Sequence, residues 1–249
     1  MTPQIAGRFS AQAEGRQLTI VFDDGGMNVL STAALAELDG LIAALPSDLD
    51  LLILRSAREA LFAAGADIRE MSGFNAEDAE RFSHLGQSVM ESIARLPFLT
   101  LALIDGDCFG GALDLALAFD LRFATERSRF SHPGARLGIV TGFGGTSRWR
   151  DLLDRSAATD LFLANQIITS SDALRAGLVD SVVPAGGGEE RDIIDCALRN
   201  SQWARRVKRL ASVRQRLSPD SLLLLGQRLA ELDLAESRHN RNSGTYGKT

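Results

Sequence analysis

The chain has 249 residues, 45% of them apolar and 24% charged, enough for one large domain with a real core, and this mix excludes a disordered or fibrous protein. Its 27 basic against 32 acidic side chains leave a net charge of −5, which argues against nucleic acid or an anionic membrane as the main partner. Two cysteines far apart, Cys108 and Cys196, an opening MTPQIAGRFSAQAEGRQ without a signal-peptide core, and no run of about 18 apolar residues together lead us to expect a soluble, cytoplasmic protein with no membrane partner.

In chain order, LTIVF at 18 to 22 reads as a strand ended by the turn DDGG. Ser31 is placed as the N-cap of an amphipathic helix carrying Leu35, Leu38, Ile42 and Leu45, which Pro46 closes. A second strand, LLIL at 51 to 54, leads into a small-residue loop, FAAGAD at 62 to 67, and residues 77 to 96 form a long helix. The strand LTLALI, a turn at Asp105 and Gly106, a short apolar helix over 110 to 119, the strand LRFA and a loop rich in Gly and Arg follow. This alternation predicts an α/β layered fold with largely buried strands. LVDSVVP at 178 to 184 is the last strand, and AGGGEE then marks a boundary near Gly188, dividing a core of residues 1–188 from a helical region of residues 189–249. Within that region, 201 to 216 hold six basic side chains and no acidic one: a solvated helix face, or a grip on an anionic ligand.

Asp114 stands out chemically. It is the only polar residue between Gly111 and Phe119, on a helix apolar all round and therefore buried. Burying a lone carboxylate costs several kcal/mol unless it is paired or neutralised, and such an environment tunes a general acid/base. The alternative is a structural ion pair with Arg122 or Arg136. Two glycine-rich turns, FAAGAD and DGDCFGG at 105 to 111, could aim backbone N–H groups at one anionic oxygen close to this acid. TGFGGTS at 141 to 147 lacks the third glycine of a dinucleotide fingerprint, having Ser147 there, so a dehydrogenase is disfavoured. His84, His132 and His239 show no metal spacing with each other or with the cysteines, and no metal is expected. His84 reads as a core or surface residue; His132, in a loop before Pro and Gly, is the better candidate for a polar role.

Taken together, LFAAGADIREM at 61 to 71, IDGDCFGGALDLALAFDLRFA at 104 to 124, RFSHPGARLGIVTGFGGTSR at 129 to 148 and ALRAGLVDSVVP at 173 to 184 resemble the enoyl-CoA hydratase/isomerase family, the crotonase superfamily. The resemblance runs from about residue 15 to 190. It implies a spiral of ββα units, a C-terminal helical trimerisation region, a homotrimer or dimer of trimers, and a coenzyme A thioester as substrate in fatty acid metabolism, with no cofactor. Ala66 and Gly111 match the family's two oxyanion-hole positions, with Ala64, Gly65, Asp67, Ile68 and Gly110 beside them, and Gly134 farther along, as substrate-binding residues. Asp114 matches the first catalytic glutamate, one methylene shorter. The second glutamate is replaced by Gly134, in FSHPG, and Thr141 stands where a proline is usual before the GxGG turn.

The resemblance thus implies a lyase or isomerase that stabilises a thioester enolate. Hydration needs one group to activate water and another to protonate carbon, so with Gly134 in place Asp114 must do both, or His132 or a bound water or anion must fill the gap. Alternatives are decarboxylation, thioester hydrolysis or C–C cleavage, for which the glycine leaves room, and a non-catalytic acyl-CoA-binding subunit.

Overall fold

The structure is a computed structural model that describes residues 7–153 and 155–185. The boundary near Gly188, the helical region 189–249, the basic stretch 201 to 216, Cys196 and His239 lie outside the described residues.

An antiparallel hairpin, β1 (Phe9–Glu14) with β2 (Gln17–Phe22), opens the chain. Only β2 is expected from the sequence: β1 buries Phe9 and Ala11 and exposes most of the rest, so its apolar signal is faint. After β3 (Val29–Leu30), α1 (Thr32–Ala43) starts at Ser31, whose hydroxyl accepts from the Ala34 N–H as an N-cap should. Leu35, Leu38 and Ile42 are buried on its inner face.

The chain then repeats one pattern. β4 (Leu51–Ser56) is followed by β5 (Leu61–Ala63), β6 (Gly65–Ala66), α2 (Ile68–Met71) and α3 (Ala76–Ala94); β7 (Leu99–Ile104) by β8 (Asp107–Phe109) and α4 (Gly111–Ala116); β9 (Leu121–Thr125) by β10 (Arg129–Ser131), a 3₁₀ turn at Pro133–Leu137, α5 (Gly145–Leu152) and α6 (Arg155–Phe162). The first strand of each turn enters a six-stranded sheet of order β1-β2-β4-β7-β9-β12, closed by β12 (Ser181–Val183). The second enters a four-stranded sheet, β11-β10-β8-β5, in which β11 (Ile168–Thr169) precedes α7 (Ser170–Arg175). A two-stranded β3-β6 pair completes the set. From β2 onward the large sheet is parallel. This is the spiral of ββα units that the resemblance implies.

The apolar runs now have a cause. Leu52, Leu54, Ala102, Ile104 and Ala124 face the main core, while Leu51, Ile53, Leu99, Leu101 and Leu103 form a second apolar cluster. A parallel strand buried on both faces has no reason to alternate. Two expectations change. FAAGAD is not a plain loop but contains parts of β5 and all of β6, and the stretch read as loop before Gly145 holds β10 and the 3₁₀ turn. These strands are two or three residues long and exist through pairing with distant chain, which local pattern does not reveal.

Cys108 lies at the centre of β8, fully buried, and burial pushes its thiol well above its ordinary range, with Asp114 and Asp107 adding to the effect. A protonated, enclosed thiol is unreactive. Peptide mapping after iodoacetamide treatment at pH 8.5 should therefore find Cys108 unmodified in the folded protein and alkylated after denaturation.

Candidate active site

Gly65 sets the geometry. Its φ is +98°, and a Cβ there would lie 2.5 Å from the Phe109 carbonyl oxygen and 2.8 Å from Gly111 N. Only glycine allows this backbone to press against the β8–α4 junction. The result brings Ala66 beside the start of α4: a Cβ built on Gly111 would sit 3.1 Å from Ala66 N. The neighbouring Asp67 N–H is taken by the Leu30 carbonyl (3.3 Å), and alternation along a strand turns the Ala66 N–H the other way. Gly111 is the first residue of α4, where N–H groups have no partner within the helix.

Ala66 and Gly111 both line a cavity of about 310 Å³, together with Ala64, Ile68, Gly110, Asp114, His132, Gly134 and Thr141. Most of its wall is apolar. Phe74, Phe82 and Phe143 meet edge to face there, with ring centroids 5.3 and 5.2 Å apart. The Phe143 ring is wedged between two glycines, since a Cβ would come within 2.0 Å of it from Gly86 of α3 and 2.9 Å from Gly111.

Asp114 lies one turn beyond Gly111, with no solvent exposure. Its Oδ2 accepts a hydrogen bond from the Thr141 hydroxyl and lies 3.6 Å from His132 Nε2. Oδ1 and His132 Nε2 are buried and have no hydrogen-bond partner among the described residues. Oδ1 packs against Gly145, where a Cβ would come within 1.7 Å of it. Gly145 opens α5, so the carboxylate sits at the positive end of that helix. The structural ion pair considered from the sequence does not form. Arg122 is committed elsewhere, donating to the carbonyls of Leu178 and Phe119 (2.7 Å each) and pairing with Asp180 at 3.2 Å; Arg136 is exposed. With its own carboxylate at the start of α5, the protein also has no anion site at the TGFGG turn of the kind a dinucleotide would need.

His132 is only 6% exposed and packs its ring against Phe162, centroids 5.0 Å apart. Gly134 is buried two residues on and lines the cavity, but the direction a side chain would take is closed: a Cβ there would lie 2.7 Å from the Ile139 carbonyl and 3.3 Å from His132 Nδ1. The 3₁₀ turn folds the chain back so that Ile139 N–H donates to the Gly134 carbonyl (2.9 Å). Of the other residues singled out, Asp67 caps α2, accepting from Arg69 N–H and Glu70 N–H, and Gly65 and Asp67 are not among the cavity's lining residues. His84 is exposed on α3, 3.6 Å from Glu80. Sequence reasoning missed Ser83 and Gln87 of α3, which both donate to the Gly142 carbonyl (2.8 and 2.7 Å) and hold the 141–145 turn over the site. Nothing in their spacing announces this role.

Residues 16–217 match the family described as enoyl-CoA hydratase/isomerase. The chain is similar to a short-chain-enoyl-CoA hydratase of Clostridium acetobutylicum, 37% identical over 159 residues, and to a crotonyl-CoA hydratase of Syntrophomonas wolfei, 35% identical over 159 residues. Each match covers 63% of this chain and 61% of the relative, so the matched part spans less than two thirds of these relatives. A solved enoyl-CoA hydratase from Bacillus anthracis superposes with a TM-score of 0.80 at 28% identity, covering 90% of either chain.

Proposed function

Because the chain belongs to the enoyl-CoA hydratase/isomerase family, we propose that it binds an acyl-CoA thioester with the carbonyl oxygen between the N–H groups of Ala66 and Gly111, and hydrates a short 2-enoyl chain. The observation that carries this reading is Asp114: a buried carboxylate with no arginine or lysine anchor among the described residues, one turn from Gly111 in the same cavity. Such a group is costly to keep for structure alone, which also disfavours a non-catalytic binding subunit. Fixed N–H donors stabilise the enolate oxygen as charge develops on it. Asp114 takes the proton from water as it adds to the β-carbon and passes it through His132, whose Nε2 lies 3.6 Å from the carboxylate, to the α-carbon.

Gly134 favours a second reading. Without a second carboxylate, Asp114 alone could carry a proton between the α- and γ-carbons of an enoyl thioester, which is isomerisation. The same reading carries a cytoplasmic homotrimer or dimer of trimers that works without metal or cofactor.

The test is a screen of saturated, 2-enoyl, 3-enoyl and malonyl-type CoA esters with chelator-treated protein, products identified by mass spectrometry. A 3-hydroxyacyl product from a 2-enoyl ester is expected. Conversion of 3-enoyl to 2-enoyl ester without water addition would move the assignment to isomerase. Inertness toward every ester, including solvent-deuterium exchange at the α-carbon, would refute both.

A further inference from the structure

We infer that Thr141 is the positioning residue for Asp114, an assignment that rests on the acyl-CoA reading above. Among the described residues the carboxylate has one hydrogen-bond donor, the Thr141 hydroxyl, which binds Oδ2; His132 Nε2 lies 3.6 Å from the same oxygen, and Oδ1 has no partner there. A hydroxyl has one proton to give. The Phe143 N–H points at Thr141 Oγ1 (3.4 Å), so that oxygen accepts from the backbone while its proton goes to Asp114. One hydroxyl can play both roles, since it has two lone pairs besides its proton.

Thr141 is itself held in place. The next residue, Gly142, has its carbonyl bound by the side chains of Ser83 and Gln87 on α3. Hydrogen bonds from α3 thus hold the backbone next to Thr141, and the Thr141 hydroxyl carries that hold on to the acid on α4, a link for which the usual proline of this position has no hydroxyl to offer. Rotation of a carboxylate about its terminal torsion is soft, and one charge-assisted bond on one oxygen is what fixes it. The hydroxyl acts through Asp114 and has no proton-transfer step of its own.

The test compares Thr141→Val, which keeps the shape and loses the hydroxyl, with Thr141→Ser, which keeps the hydroxyl. Thr141→Val should lower kcat about 10- to 100-fold, the range expected for losing a hydrogen bond to a charged group and the orientation it provides, with KM for the thioester changed less than about threefold. Thr141→Ser should recover most of the parent kcat. In the Asp114→Asn background, adding Thr141→Val should cost almost nothing further, because a group that acts through Asp114 has nothing left to act on. An active parent with a folded Thr141→Val variant of undiminished kcat would overturn this inference and leave the acyl-CoA reading standing. Additive losses in the double variant, or no recovery with serine, would also overturn it. A parent inert toward all thioesters would remove the acyl-CoA reading and this inference with it.

Discussion

Replacing Asp114 by asparagine should lower kcat about 10²-fold or more while leaving KM for the thioester and the thermal melting point close to those of the parent. The kinetic part follows from losing a general acid/base, which typically contributes 10²- to 10⁴-fold. Asparagine is nearly isosteric, and its side-chain oxygen can still accept from Thr141, so the cavity keeps its shape. The stability part follows from the surroundings. Breaking a buried ion pair costs about 3 to 5 kcal/mol, but the arginine nearest in sequence pairs with Asp180 instead, and Oδ1 has no hydrogen bond to lose. Steady-state kinetics and calorimetry on the same preparation check both halves. Undiminished turnover would refute the proton-transfer role, and a large drop in melting temperature would point to a structural one.

Gly111→Val should abolish turnover, by about 10³-fold or to below detection, in a protein that still folds. The donors at this site are backbone groups and cannot be deleted by substitution, so the test is to fill the space in front of them. Even a Cβ at Gly111 comes within 3.1 Å of Ala66 N and 2.9 Å of the Phe143 ring. Two further methyl groups would occupy the position of the thioester oxygen, and loss of one such donor alone costs about 10²- to 10³-fold. Gly111→Ala is the graded companion, with an intermediate loss expected. Circular dichroism and binding of a saturated acyl-CoA separate blocked chemistry from a lost fold. A folded valine variant that still turns over would sink the assignment of these two N–H groups.

The large sheet was legible in the sequence because its strands are buried on both faces, which leaves runs such as LTLALI with no polar residue to interrupt them. The ends of α1 and α3 were legible too, through Ser31 and the change of periodicity around them. The small sheet was not. Its strands are two or three residues long and are defined by partners 22 to 46 positions away, as Phe130 beside Cys108 and Cys108 beside Ala63 illustrate. The repeating strand–strand–helix pattern likewise left no internal sequence repeat, because each turn buries different side chains in different company.

At the site, Asp114 announced itself as a lone polar residue in an apolar helix, and its burial is complete. The company it keeps was harder to read. Thr141 appeared only as a departure from proline, and His132 only as a histidine in a loop; their approach to Asp114 depends on how the 3₁₀ turn and the 141–145 turn fold over α4. Gly134 shows a different limit. A sequence does not say in which direction a missing side chain would have pointed, and here the Ile139 carbonyl closes that direction while the backbone itself lines the cavity.

Gly145 ties the length of the acid to a position 31 residues away. A Cβ there would come within 1.7 Å of Asp114 Oδ1, so the start of α5 and the carboxylate already touch. Glutamate adds a methylene, about 1.5 Å of reach, in a direction closed by Gly145 and Thr141. The two positions are thus epistatic: the path from aspartate to the glutamate usual in the family does not run through a single substitution, because Asp114→Glu alone overfills the gap. The turn before α5 has to move outward first, and until it does, selection at residue 114 sees aspartate as the only acid that fits.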